Sequence, residues 1–163
     1  MTVAAATPSK MNIIVFSGDM DKVLAAFILA TTAASMGLRV NMFFTFWGLN
    51  VLRKKSFTAG RTVLQRMMNA LNRGGARRLP LSKFNMLGLG PALMKVMMKQ
   101  SRVPGIPELI RTAKDLGVTF TACTTTFAFM GYKKEDFIDV VDAYAGAATY
   151  LDEALDARTS YFI

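Results

Sequence analysis

The sequence predicts an α/β domain, a doubly wound and mainly parallel sheet with helices on both faces. Three observations carry this. Residues 12–16 (Asn-Ile-Ile-Val-Phe) form a short β-branched run closed by Ser17 and Gly18, and 20–36 then continue as an apolar helix that stops at Gly37. A second apolar run, 39–47, follows at once, so strand, turn, helix, glycine and strand make a parallel βαβ opening. The same grammar returns later: Pro107 opens a helix, Gly117 ends it, and 118–122 form a strand that leads into Cys123.

Each remaining element follows from local pattern. Residues 58–71 have helical spacing, with Val63, Leu64, Met67, Met68 and Leu71 on one face. Residues 72–83 read as a basic loop containing Arg73, Arg77 and Arg78, and 89–100 as a short helix carrying Lys95 and Lys99. Residues 124–132 read as a loop or short turn. A helix is expected from Lys133 or Lys134 to about Ala143, another over 147–157, and a last strand over 160–163. Residues 1–10 are small and polar and read as a flexible tail. The remainder, 11–163, reads as a single domain with a basic, Met-rich insertion at about 53–103.

Composition narrows the chemistry. Apolar residues make up 52% of the 163, enough for one sizeable core. The charged fraction is only 19%, which suggests apolar surface covered by a partner, a second copy or a membrane. The charge-free run 23–38 is sixteen residues, short of the roughly 20 that span a bilayer. There is no histidine, so imidazole catalysis and histidine metal sites are excluded. One cysteine allows no intrachain disulfide and no cysteine metal cluster. A cytoplasmic, reducing location fits that usage, with membrane association as an added option.

The net charge of +9 is uneven. Fourteen Lys and Arg and no acid lie between Lys22 and Pro107, whereas acids outnumber bases nine to five after it. The middle of the chain therefore attracts anionic partners. Only Phe84 interleaves with the basic residues from Arg73 to Lys99, too few aromatics for a nucleic-acid stacking surface. Arg77, Arg78, Lys95 and Lys99 are the candidate docking residues for a partner or an anionic membrane, since the Met-rich stretch beside them suits an adaptable interface.

Cys123 is the candidate catalytic residue. It falls at the C-terminal end of a strand, where open α/β sheets place their sites, and Thr124, Thr125 and Thr126 follow it. Position alone leaves two readings, a reactive thiol or a small apolar residue packed in the core. Ser17, Gly18, Asp19 and Lys22 form the turn after the first strand. They read either as helix capping or, if the first strand neighbours the Cys123 strand, as the wall of a shared crevice with Lys22 near the sulfur. Asp136, Asp139 and Asp142 recur every three residues, as on the solvated face of a helix, and lack the partners of a metal site. Gly88-Leu-Gly90 follows no strand and lacks a third glycine, so it makes no dinucleotide loop.

Several pieces resemble one family. These are Ile-Val-Phe-Ser-Gly-Asp-Met-Asp-Lys at 14–22, Met-Phe-Phe-Thr-Phe-Trp-Gly at 42–48, Leu-Ser-Lys-Phe-Asn-Met at 81–86, Pro-Glu-Leu-Ile at 107–110, Ala-Cys-Thr at 122–124 and Met-Gly at 130–131. Together they resemble the DsrE/DsrF/DsrH-like sulfur-relay family, in the longer branch often labelled peroxiredoxin-like. The resemblance implies a cysteine, matched by Cys123, that accepts sulfane sulfur as a persulfide and passes it on. It implies a rhodanese-like donor, a TusA-like acceptor and assembly into trimers or hexamers, and it adds Trp47 to the crevice candidates. Peroxidase chemistry fits less well, because Phe120 stands where a peroxiredoxin carries Thr or Ser. With no second cysteine, sulfur must arrive from one molecule and leave to another, and such a transfer needs no metal or organic cofactor. The alternative is a non-catalytic binding module that docks through the basic, Met-rich segment.

Overall fold

In the computed structural model, residues 9–54, 60, 62–72 and 74–163 are described. Most of the expected tail, residues 58, 59 and 61 of the expected 58–71 helix and Arg73 lie outside them; Gly60 and Thr62 are not helical, and Thr62 caps a helix that begins at Val63. Strand β1 (Lys10–Val15) leads through helix α1 (Met20–Ser35) to β2 (Arg39–Phe44). Helices α2 (Val63–Leu71), α3 (Leu89–Gln100) and α4 (Ile106–Asp115) precede β3 (Thr119–Cys123). Helix α5 (Thr124–Met130), β4 (Ala143–Ala145), α6 (Ala147–Leu155) and β5 (Thr159–Phe162) complete the chain. The five strands lie in the order β4-β3-β2-β1-β5 and every pair is parallel.

Helices α1 and α4 cover one face because their apolar residues recur at helical spacing. Val23, Ala26, Phe27 and Ala30 of α1 are buried, as are Ile106, Leu109, Ile110 and Ala113 of α4. Phe27 meets Phe44 of β2 and Phe120 of β3 at 6.2 and 5.8 Å between ring centres, and all three rings are fully buried. Burial of such a ring contributes about 1.5–3 kcal/mol. Gly37 and Gly117 end these helices at φ +84° and +78°, the left-handed conformation that a helix stop needs.

The other face is thinner. After β4 the chain crosses beneath the sheet through α6 and returns beside β1 as β5. Alternation along the strands turns Phe43 and Cys123 toward α6, where they pack with Tyr150, Ile14 and Ala154. Asn41, also on this side, donates to Glu153 of α6 at 2.7 Å.

Three local expectations are corrected. The strand expected over 39–47 ends at Phe44, and Phe46–Val51 coil into a 3₁₀ helix. The loop expected over 124–132 begins as a helix directly after Cys123. The helix expected from 133 to 143 is absent: a 3₁₀ turn at Lys134–Asp136 leads to the edge strand β4. Tertiary pairing wins there. Phe137 is buried and stacks on Phe127 at 4.6 Å, while the Ile138 amide donates to Leu52 O and the Lys54 amide to Asp136 O. Asp136, Asp139 and Asp142 therefore share no helix face. Asp136 accepts from the Lys133 amide, Asp139 pairs with Lys54, and Asp142 accepts from Lys114 and the Phe120 amide.

Two glycines interlock the turns at the C-terminal edge of the sheet. A Cβ on Gly48 would stand 1.9 Å from Val15 O, and one on Gly18 would stand 2.7 Å from Trp47 O. The Gly48 amide donates to Phe16 O at 2.8 Å and to Thr45 O at 2.9 Å. Gly48→Ala should therefore destabilise the fold by about 2–4 kcal/mol, since backbone rather than a yielding side chain must move. Urea unfolding measures this, and an unchanged midpoint would show that the close approach does not matter.

Candidate functional site

Cys123 ends β3 and occupies the position just before the first residue of α5, with φ −71° and ψ 115°. It is a free thiol and only 5% exposed. Of the three threonines after it, Thr124 and Thr125 are exposed and Thr126 is buried. The Thr126 and Thr45 hydroxyls share a hydrogen bond of 3.1 Å, and the Phe46 amide donates to Thr126 Oγ1 at 3.2 Å. The loop after β2 is thus tied to the first turn of α5, beside the sulfur.

Burial, the largest influence, pushes the Cys123 thiol up. Hydrogen bonds from the Thr126 amide, the Thr45 and Thr126 hydroxyls and the Thr125 amide together outweigh it, and the pKa falls below the ordinary thiol value. Each hydroxyl has one proton. When one threonine donates to the other, the acceptor's own proton remains for the sulfur. The arrangement can hold a thiolate, the nucleophilic form, without a histidine or a lysine.

The turn after β1 forms a separate cavity of about 330 Å³. Ser17, Gly18, Asp19, Lys22 and Trp47 line it together with Asn50 and Asn72, and Cys123 does not. The reason is strand order: β2 lies between β1 and β3, so the condition for a crevice shared with Cys123 is not met. Lys22 donates to Asp19 at 2.8 Å, and that bond holds its ammonium above the ordinary lysine value. Asp19 stands at the cap position of α1 but makes no side-chain cap; it accepts from the Ser17 hydroxyl at 3.0 Å, while its own amide donates to Ser17 Oγ.

Arg77 and Arg78 line a hollow with Arg53, Ile110 and Ile138. Lys95 donates to Arg77 O at 2.7 Å, and Lys99 is exposed in the last turn of α3. None of these four takes part in the hydrogen bonds around the sulfur. Among the described residues no group of three or more Cys, Asp or Glu could hold a metal. Thr45 is the site residue that the sequence does not mark as one. It stands in the Thr-Phe-Trp-Gly piece, which is the signal that could have found it.

The match to known proteins runs along the whole domain. Residues 7–162 fit the model of the DsrE/DsrF/DrsH-like family. The chain belongs to that family. It is 39% identical to the uncharacterized protein YrkE of Bacillus subtilis over 155 residues, 94% of this chain and 96% of YrkE. It is 35% identical to the sulfur carrier protein DsrE2 of Allochromatium vinosum over 157 residues, 94% of this chain and 98% of that one. Two solved structures share the fold. The ychN protein of E. coli superposes with a TM-score of 0.56 at 10% identity, covering 96% of this chain and 100% of its own. MTH1491 of Methanobacterium thermoautotrophicum gives 0.53 at 14% identity, covering 94% and 96%.

Thr126→Val keeps the amide donors and removes one hydroxyl. The pH dependence of Cys123 alkylation by iodoacetamide should shift to higher pH, with a several-fold slower rate near neutrality. Thr45→Val/Thr126→Val should shift it further. An unmoved profile in the double variant would show that the hydroxyls do not support the thiolate.

Proposed function

We propose that this protein is a sulfur carrier, taking sulfane sulfur on Cys123 as a persulfide and handing it to a partner protein. The observation that carries this reading is the position of the single thiol, at the end of β3 and the head of α5, beside the linked Thr45 and Thr126 hydroxyls; the lowered thiol pKa agrees with it. The name of the DsrE2 relative supports it. In the loading step the Cys123 thiolate attacks the outer sulfur of a donor persulfide. A Cys123 S–S bond forms, the donor S–S bond breaks, and the donor leaves as a thiol after taking one proton. An acceptor thiolate then removes the outer sulfur by the same chemistry and restores Cys123. No net oxidant is consumed, and no second cysteine is needed in this chain.

A rhodanese-like donor and a TusA-like acceptor fit this role, as does assembly from several copies in the cytoplasm. Among the described residues no helix is long and apolar enough to cross a membrane. A protein-docking surface beside the site is favoured by α2. That helix turns Asn69 inward, to donate to Met130 O at the end of α5, and leaves Val63, Leu64, Met67 and Leu71 exposed. Its apolar face thus points away from this chain's core.

Incubation with thiosulfate and a rhodanese, followed by intact-mass measurement, should show one added sulfur that a reductant removes. Cys123→Ser should show none. Sulfur that persists in that variant, or never appears on the native chain, overturns the reading. Leu64→Asp/Met67→Asp should load normally but pass sulfur to a TusA-like acceptor about tenfold more slowly; unchanged transfer would remove α2 from the docking surface.

A further inference from the structure

Arg53 is a buried cation with no anionic partner among the described residues. It is 4% exposed, and its three hydrogen bonds, to Asn50 Oδ1, Asn72 O and Tyr132 Oη, all leave from Nη1. Its guanidinium also lies over the Tyr132 ring, 4.7 Å from the centre. Nε and Nη2 donate to no group among the described residues, and no described carboxylate pairs with it. Those two nitrogens are thus open to a ligand carboxylate, which would pair the charge.

Arg53 also lines an open hollow of about 450 Å³, a size suited to a small ligand. Lys54, Arg77 and Arg78 add three more cations to its lining, and among the described residues only Lys54 of these has an acid partner, the exposed Asp139. Pro107, Ile110 and Ile138 supply an apolar wall. The lining has no acid, no hydroxyl or amide side chain and no aromatic ring. A sugar would find no hydroxyl or amide partners there, and a nucleobase no ring to stack on.

We propose that this hollow binds a single-chain aliphatic carboxylate. Its head would face Arg53 and the rim arginines, and its chain would lie along Ile110, Ile138 and Pro107. A planar carboxylate matches the guanidinium fork better than it matches a point charge. The site is distinct from the Cys123 group and does not depend on the sulfur-carrier reading.

Octanoate is the probe, read by isoleucine methyl NMR on the full chain. It should shift the Ile110 and Ile138 methyl resonances saturably. Acetate should bind at least about tenfold more weakly, since burial of two of the methylenes it lacks is worth about that ratio, and octan-1-ol should do the same because it has no charge to pair with the arginines. Arg77→Ala/Arg78→Ala should weaken octanoate roughly three- to tenfold, and added salt should matter less in that variant. Ala76→Trp, which fills the hollow, should abolish the shifts, and Cys123→Ser should bind as the native chain does. Acetate or octan-1-ol binding as tightly as octanoate would overturn the proposal. So would shifts confined to other methyls, or binding unchanged in a folded Ala76→Trp chain. If that variant does not fold, the ligand series and the arginine variant still decide.

Discussion

The contact between Gly48 and the end of β1 is the constraint on which the site depends. It brings one backbone against another with no side chain between them, at a separation where a Cβ would stand 1.9 Å from Val15 O. Gly18 makes the matching approach to Trp47 O. The turn after β1 and the loop after β2 are therefore seated as one unit. That unit places Thr45 against Thr126 and the Phe46 amide on the Thr126 hydroxyl. Phe46 takes φ +44° within this loop, a conformation that packing on both sides has to hold. The Ser-Gly-Asp and Thr-Phe-Trp-Gly pieces, far apart in the chain, are thus two halves of one backbone joint.

The sulfur site inherits its character from the thin face of the sheet. On the thick face, α1 and α4 bury three phenylalanine rings in an apolar layer. On the α6 side, Asn12, Asn41 and Thr121 are buried beside the small cluster that holds Cys123. Thr121 donates to Asn41, whereas the Asn12 side chain has no partner among the described residues. Fixed amides and hydroxyls replace lost water there and hold the thiol pKa below its ordinary value. The same burial limits access to Cys123, whereas Thr124 and Thr125 beside it are exposed.

The basic middle of the chain is not one patch. Arg53 is inside, Lys22 and Lys54 are paired with acids, and Arg77 and Arg78 edge an apolar hollow. The apolar excess is likewise divided. Part fills the core, and part stands outward on α2 and α3, where Leu64, Met67, Leu93 and Met97 are exposed. Charge counts measure field and solubility, not position. Position came from packing.

The sequence by itself determined the opening strand–helix–strand alternation, the glycine stops at 37 and 117 and the single cysteine at a strand end. These are local: apolar period and turn chemistry are written in neighbouring residues. Only the tertiary structure decided that 143–145 form a strand, that β2 separates β1 from Cys123, and that Thr126 alone of three threonines turns inward beside Thr45. The pattern of 133–143 also satisfies a helix, and what overrides it is pairing with 52–54, some eighty residues earlier in the chain. Strand order and buried hydroxyl pairs are set by such distant contacts, and no window of the sequence contains both partners.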